Sequence, residues 1–141
     1  MIKDVYVSFE VAKLLKEKGF DWSSNRVYQG PNLKFTDIPI SPLMSLGELG
    51  GWSPKRLYIT NSELGDLVYT APTQQTAMKW LREVHNIAIN VGWGEILEDQ
   101  YKWWCIVLNM DNGNILHEID YHTSYEEAVE AALKCSLENL I

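Results

Sequence analysis

Three side chains near the end of the chain have the types needed for nucleophilic chemistry: the Cys105 thiol, the His122 imidazole and the Asp120 carboxylate. A thiol becomes a nucleophile when a base takes its proton and a third group orients that base. A β-hairpin turning at Asp111-Asn112-Gly113-Asn114 would gather them, because Asn-Gly is the pair a two-residue type I′ turn selects. In that register Met110 faces Ile115, Leu108 faces His117, Ile106 faces Ile119 and Trp104 faces Tyr121. Seven of these eight side chains are apolar or aromatic, so they make a nearly continuous core face that a one-residue slip would break. The opposite face then sets Cys105 across from Asp120 and Trp103 across from His122. Carboxylate and imidazole would both flank the thiol instead of forming a relay, and no helix N-terminus or glycine nest offers an oxyanion hole. Cys105, His122 and Asp120 are thus candidates, with no catalytic assignment made.

Other chemistry is thinner. His85, His117 and His122 lack the helical i, i+4 spacing of a metal pair, and in a regular strand His117 and His122 point to opposite faces. Gly47-Glu48-Leu49-Gly50-Gly51 is not followed by Lys-Ser or Lys-Thr, so it reads as a turn and not a phosphate loop. Cys105 and Cys135 form no CxxC pair and read as reduced, mostly buried thiols. No metal and no cofactor is expected.

Six tryptophans are harder to set aside. Trp80 and Trp104 fall on expected core faces. Trp22 and Trp52 lie in an irregular stretch, Trp93 ends a strand before Gly94, and Trp103 sits on the mixed face of the hairpin. Tryptophan is enriched at interface hot spots, so Trp22, Trp52, Trp93 and Trp103 are the candidate partner contacts.

The elements that must position these residues follow from periodicity. Ser8 caps a helix from Phe9 to about Lys18; Gly19 ends it in the left-handed conformation and Phe20 folds back onto Leu15. Val11, Leu14 and Leu15 form its apolar face, with Lys13, Lys16 and Glu17 in water. Residues 21–70 hold four of the five prolines and read as loop-rich, with short strands at Arg26-Val27-Tyr28, Leu33-Lys34-Phe35 and Leu57-Tyr58-Ile59. Pro39 and Pro42 confine any strand through Ile38–Ile40 to a sheet edge. Thr73 opens a second helix with the stripe Ala77, Trp80, Leu81 and Val84, stopped by Asn86. From Ile87 the period switches to two, through Ile89, Val91 and Trp93. After the hairpin, Ser124 and Glu127 make a capping box for a last helix with the stripe Val129, Leu133, Leu137 and Leu140, widened by Ala128 and Ala132. The sum is a single α+β domain spanning residues 1–141: an antiparallel sheet including the C-terminal hairpin, with about three helices mainly on one face.

At 141 residues, 46% hydrophobic and 22% charged, the composition is that of an ordinary globular chain. No apolar run reaches the ~18–20 residues of a membrane helix, and the N-terminus lacks a signal-peptide pattern. A cytoplasmic location and no membrane association are expected. The net charge is −7; seven acidic residues between Asp111 and Ile141, against Lys134 alone, account for −6 of it. An acidic surface without a Lys/Arg cluster disfavours direct nucleic-acid binding and leaves a basic protein partner open.

The segments Val7-Ser8-Phe9-Glu10 through Gly19-Phe20, Ala71-Pro72-Thr73-Gln74-Gln75 through Trp80-Leu81-Arg82-Glu83, and Ser124-Tyr125-Glu126-Glu127-Ala128 together resemble small uncharacterised proteins of phages and prophages from Bacteroides-type gut bacteria. The resemblance covers roughly half the chain, at helix starts and helix faces, and leaves residues 21–70 largely unmatched. It implies a mobile-element product in a bacterial cytoplasm and supplies no site. The reading that follows is a non-enzymatic protein-interaction module with an unknown protein partner, or a homodimer. The alternatives are a small enzyme with a Cys/His-based site and a structural accessory protein.

Overall fold

The computed structural model describes residues 4–30, 32–35 and 58–141, without the side chains of Lys34 and Phe35. The fold is α+β; the described residues form three α-helices and two three-stranded antiparallel sheets where one sheet is expected from the sequence. Two compact units are formed: Tyr6–Pro72, and Thr73–Ile141 together with the N-terminal segment ending at Val5.

In the first unit, helix α1 (Phe9–Glu17) starts and stops where its caps dictate. The Ser8 hydroxyl accepts the Val11 N–H at 3.2 Å, and Gly19, at φ +90°, lets the Phe20 N–H reach back to the Leu15 carbonyl at 2.9 Å. Phe20 is buried beyond it. The buried face is Val11, Ala12 and Leu15, with Leu14 at its margin. Lys16 corrects the expectation of a fully solvated face: its ammonium donates to the carbonyls of Gly65 (2.7 Å) and Val68 (2.9 Å). Burial lowers the Lys16 pKa from its ordinary value, partly offset by the nearby Asp66 carboxylate.

Strands β1 (Arg26–Gln29) and β2 (Asn32–Phe35) coincide with two of the expected short strands. The third strand, β3 (Val68–Thr70), was not among them; it pairs with the far side of β1, giving the order β2-β1-β3. Ile59 makes a two-hydrogen-bond bridge to Ser24, while Leu57 lies outside the described residues. So do Pro39, Pro42, the glycine-rich stretch 47–51 and Trp52. The buried Asn61 side chain links the turn after α1 to β3. Its amide donates to the Phe20 carbonyl (2.8 Å) and accepts the Thr70 N–H (2.9 Å).

The second unit holds α2 (Gln74–His85), β4 (Ile87–Leu97), β5 (Gln100–Asn109), β6 (Ile115–His122) and α3 (Tyr125–Asn139). Thr73 caps α2 and Asn86, at φ 55°, ends it. The buried stripe is Ala77, Met78, Trp80 and Leu81, whereas Val84 is exposed: the helix is turned slightly from the expected stripe. Helix α3 buries Ala128, Val129, Ala132, Leu133 and Leu137 across all three strands of the sheet β4-β5-β6. Each large aliphatic side chain removed from water there contributes about 1.5–3 kcal/mol.

The hairpin register of β5 and β6 corrects the expectation in detail. The observed pairs are Trp103↔His122, Cys105↔Ile119, Ile106↔Glu118, Val107↔His117 and Leu108↔Ile115, so only the first is as expected. Asn112-Gly113 does not form a type I′ turn, since Gly113 alone of the two has positive φ. Instead the Gly113 N–H bonds the Asn109 carbonyl and the Asn109 N–H bonds the Asn114 carbonyl, closing a four-residue loop over Met110–Gly113. Side chains stabilise that longer loop: Asn109 Oδ1 accepts the Asp111 N–H (2.8 Å) and Asn112 Oδ1 the Asn114 N–H (2.9 Å).

Two irregularities in β6 then reset which way residues point: Leu116 is extra near the loop, and Asp120 and Tyr121 together oppose Trp104. The helix-covered face is therefore Ile87 and Ile89 of β4, Cys105 and Val107 of β5, and Ile119 of β6, all buried. The expected core face of β5, with Trp104, Ile106 and Leu108, is the open one. Met110, Ile115 and Tyr121 are 52%, 54% and 58% exposed.

Candidate functional site

Cys105, Asp120 and His122 are not assembled for catalysis. Cys105 pairs with Ile119, and its fully buried thiol is pushed up from 9.0 to about 11 by desolvation, the reverse of an activated nucleophile. The exposed Asp120 lies in the bulge opposite Trp104, and His122 Nδ1 makes its hydrogen bond with the Asp120 backbone carbonyl at 2.7 Å, not with the carboxylate. The same bulge puts His117 and His122 on one face, against the expectation of opposite faces. Four positions of β5 separate their partners Val107 and Trp103, about 13 Å of strand, too far to share an ion. His85 stacks edge-on against Trp80 with centroids 4.7 Å apart.

The candidate partner contacts fare differently from one another. Trp22 belongs to the first unit, half-buried, its ring 6.3 Å from Phe20. Trp93 and Trp103 are direct cross-strand partners on β4 and β5, centroids 6.2 Å apart. A tight hairpin without an Asn-Gly or other glycine signal at its turn brings them together. Its turn residues are Glu98 and Asp99; Asp99 takes φ 60° and its N–H is held by the Glu95 carboxylate at 2.8 Å. This hairpin also adds Tyr101, which stacks on Trp93 at 4.8 Å and 17°. Trp103 meets Tyr125, the first residue of α3, edge-on at 5.4 Å, and the Tyr125 hydroxyl accepts the Gln75 amide at 2.7 Å. The row Tyr101–Trp93–Trp103–Tyr125 thus lies on the helix-bearing face, and Trp93, next to Tyr101 at its outer end, is 54% exposed. Two paired strands and a helix terminus fix these rings, so a partner would meet them already ordered.

The opposite face carries an aromatic pair that sequence reasoning assigned to the core. Trp104 is half-buried and meets Tyr121 edge-on at 6.2 Å. Its indole lies flat over Gly92, its cross-strand neighbour, where a Cβ would come within 2.4 Å of the ring. Gly92→Ala must therefore push the indole off β4. The expected result is loss of the Trp104–Tyr121 contact, read as a change in the fluorescence that Trp104→Phe removes, with a stability loss of about 1–3 kcal/mol. Unchanged emission would contradict this packing. A hollow of about 430 Å³ opens beside the pair, lined by Trp104, Tyr121, Ile106, Glu95, Glu118 and Asp120 among others.

No family model, curated protein or solved structure matches the chain. Among the described residues no helix is long and apolar enough to cross a membrane.

Proposed function

We propose that the protein is a non-enzymatic protein-binding module that engages its partner through the aromatic row at the outer end of the β4–β5 hairpin. The observation that carries this reading is the stacked Trp93–Tyr101 pair beside Trp103, over half of Trp93 facing solvent on a rigid strand pair. Large aromatics on a preordered scaffold lose little conformational freedom on binding and dominate interface energetics. The buried Cys105 and its raised pKa give the Cys/His enzyme alternative no support. The resemblance to phage and prophage proteins of Bacteroides-type bacteria is the reason to seek the partner among the cytoplasmic proteins of such a host.

The test is affinity capture from a Bacteroides-type lysate with the wild type, Trp93→Ala and Trp103→Ala, followed by titration of the captured protein. Loss of a hot-spot tryptophan weakens binding by about 2 kcal/mol or more, roughly thirtyfold. Trp93 is the more telling position, because removing its exposed ring costs the fold little. A partner retained equally by both variants would refute the row as the contact surface. Light scattering of the purified chain asks separately whether the partner is a second copy.

A further inference from the structure

We infer that the hollow on the open face of the β4-β5-β6 sheet is a receptor for an arginine side chain presented by a basic peptide segment. The floor is apolar and aromatic: Ile106, the Trp104 indole and the Tyr121 ring set edge-on against it. The rim is acidic along β6, with Glu118 and Asp120; Glu95 also lines the hollow, but its carboxylate is taken up by the Asp99 N–H. Among the described residues neither Glu118 nor Asp120 is ion-paired, and the hydrogen bond at Asp120 uses its backbone. Lys102 is the one cation that β5 places on this face, across from Gly94, and it does not line the hollow.

The bulge in β6 creates this combination. One residue of β5, Trp104, faces two of β6, so a carboxylate and a phenol ring arrive beside the same indole. The register shift also turns Glu118 onto the face of Ile106. A planar cation is the complement of such a site: guanidinium stacks on an indole face, where the ring quadrupole attracts it, while its in-plane N–H groups reach carboxylates. The chain's negative charge, concentrated after Asp111, draws a basic segment towards this surface and repels an acidic one. The hollow lies on the other face of the sheet from Trp93 and Trp103, so this inference stands or falls separately from the aromatic-row reading.

The experiment titrates the full chain with a capped peptide of alternating Arg and Gly, and with its Glu-Gly counterpart, following backbone and indole N–H resonances. The Arg peptide should shift the Trp104 indole and the amides from Glu118 to Tyr121. Glu118→Gln with Asp120→Asn should weaken that binding about tenfold, and raised salt should weaken it further. Asp111→Asn with Glu138→Gln removes the same charge elsewhere and should change it little. Trp104→Leu should abolish it, with the shifts of α3 amides reporting that the fold persists. Absence of shifts at Trp104, equal binding of the Glu-Gly peptide, or equal weakening by the two charge-removing pairs would each overturn the proposal.

Discussion

Val107→Asp should prevent the second unit from folding, whereas Leu108→Asp, one residue further along the same strand, should leave it folded. Val107 is fully buried between β4 and β6 on the strand that α3 covers, paired with Ile89 and His117. A carboxylate placed there has no cation to meet and must be desolvated or protonated, at a cost of about 4 kcal/mol or more, a large part of the stability of a domain this size. Leu108 is half-buried on the open face, opposite Ala88 and Ile115. An aspartate there remains in water and forfeits about 1 kcal/mol of strand packing. The pair of variants reads the direction in which β5 faces its core. Urea denaturation of both, with the indole and far-ultraviolet signals, checks it. If Leu108→Asp unfolds the protein while Val107→Asp does not, the even-numbered face of β5 is the core and the register described above is wrong.

Asn61→Ala should destabilise the first unit by about 2–4 kcal/mol. The side chain is buried, and it is both donor to the Phe20 carbonyl and acceptor for the Thr70 N–H. Truncation strands two backbone groups that have no route to water, so the loss exceeds that of two ordinary hydrogen bonds. The amide orientation follows from its partners, since a carbonyl can only accept and an N–H can only donate. Asn61→Asp separates the two halves: it keeps the acceptor for Thr70 and removes the donor to Phe20, so at neutral pH it should remain well below the wild type. Protonation of the new carboxyl restores a donor, and the deficit should shrink as pH falls. Denaturation midpoints at neutral and acidic pH decide the matter. A cost for Asn61→Ala below about 1 kcal/mol would mean the bridge is not closed in solution.

The three helix starts and the first two helix ends were legible because each is settled by groups a few residues apart. Ser8 with Val11, Thr73 with Thr76 and Ser124 with Glu127 complete their hydrogen bonds within one turn. The Gly19–Phe20 stop is equally local. Strand β3 was not legible, since Val68-Tyr69-Thr70 is too short to show a period and is a strand only because β1 offers it an edge. Trp93 and Trp103 were singled out from the sequence as separate residues; that they touch depended on the Glu98-Asp99 turn, which lacks the glycine that marks most tight hairpins.

The amino-acid order alone settled what kinds of element occur and where helices begin, because capping and amphipathic spacing are decided within a few residues. Tertiary structure decided which side of β5 is inside. Side chains in a strand alternate, so the two Asn-held turns at the loop and the extra residues in β6 were enough to exchange faces along the hairpin. That exchange buried Cys105, left Trp104 and Tyr121 on the open side, and set Glu118 and Asp120 beside them. No short-range pattern records it, because the energy that selects it comes from helix α3 closing over Val107 and Ile119, strands apart in the sequence and adjacent only once the sheet has formed.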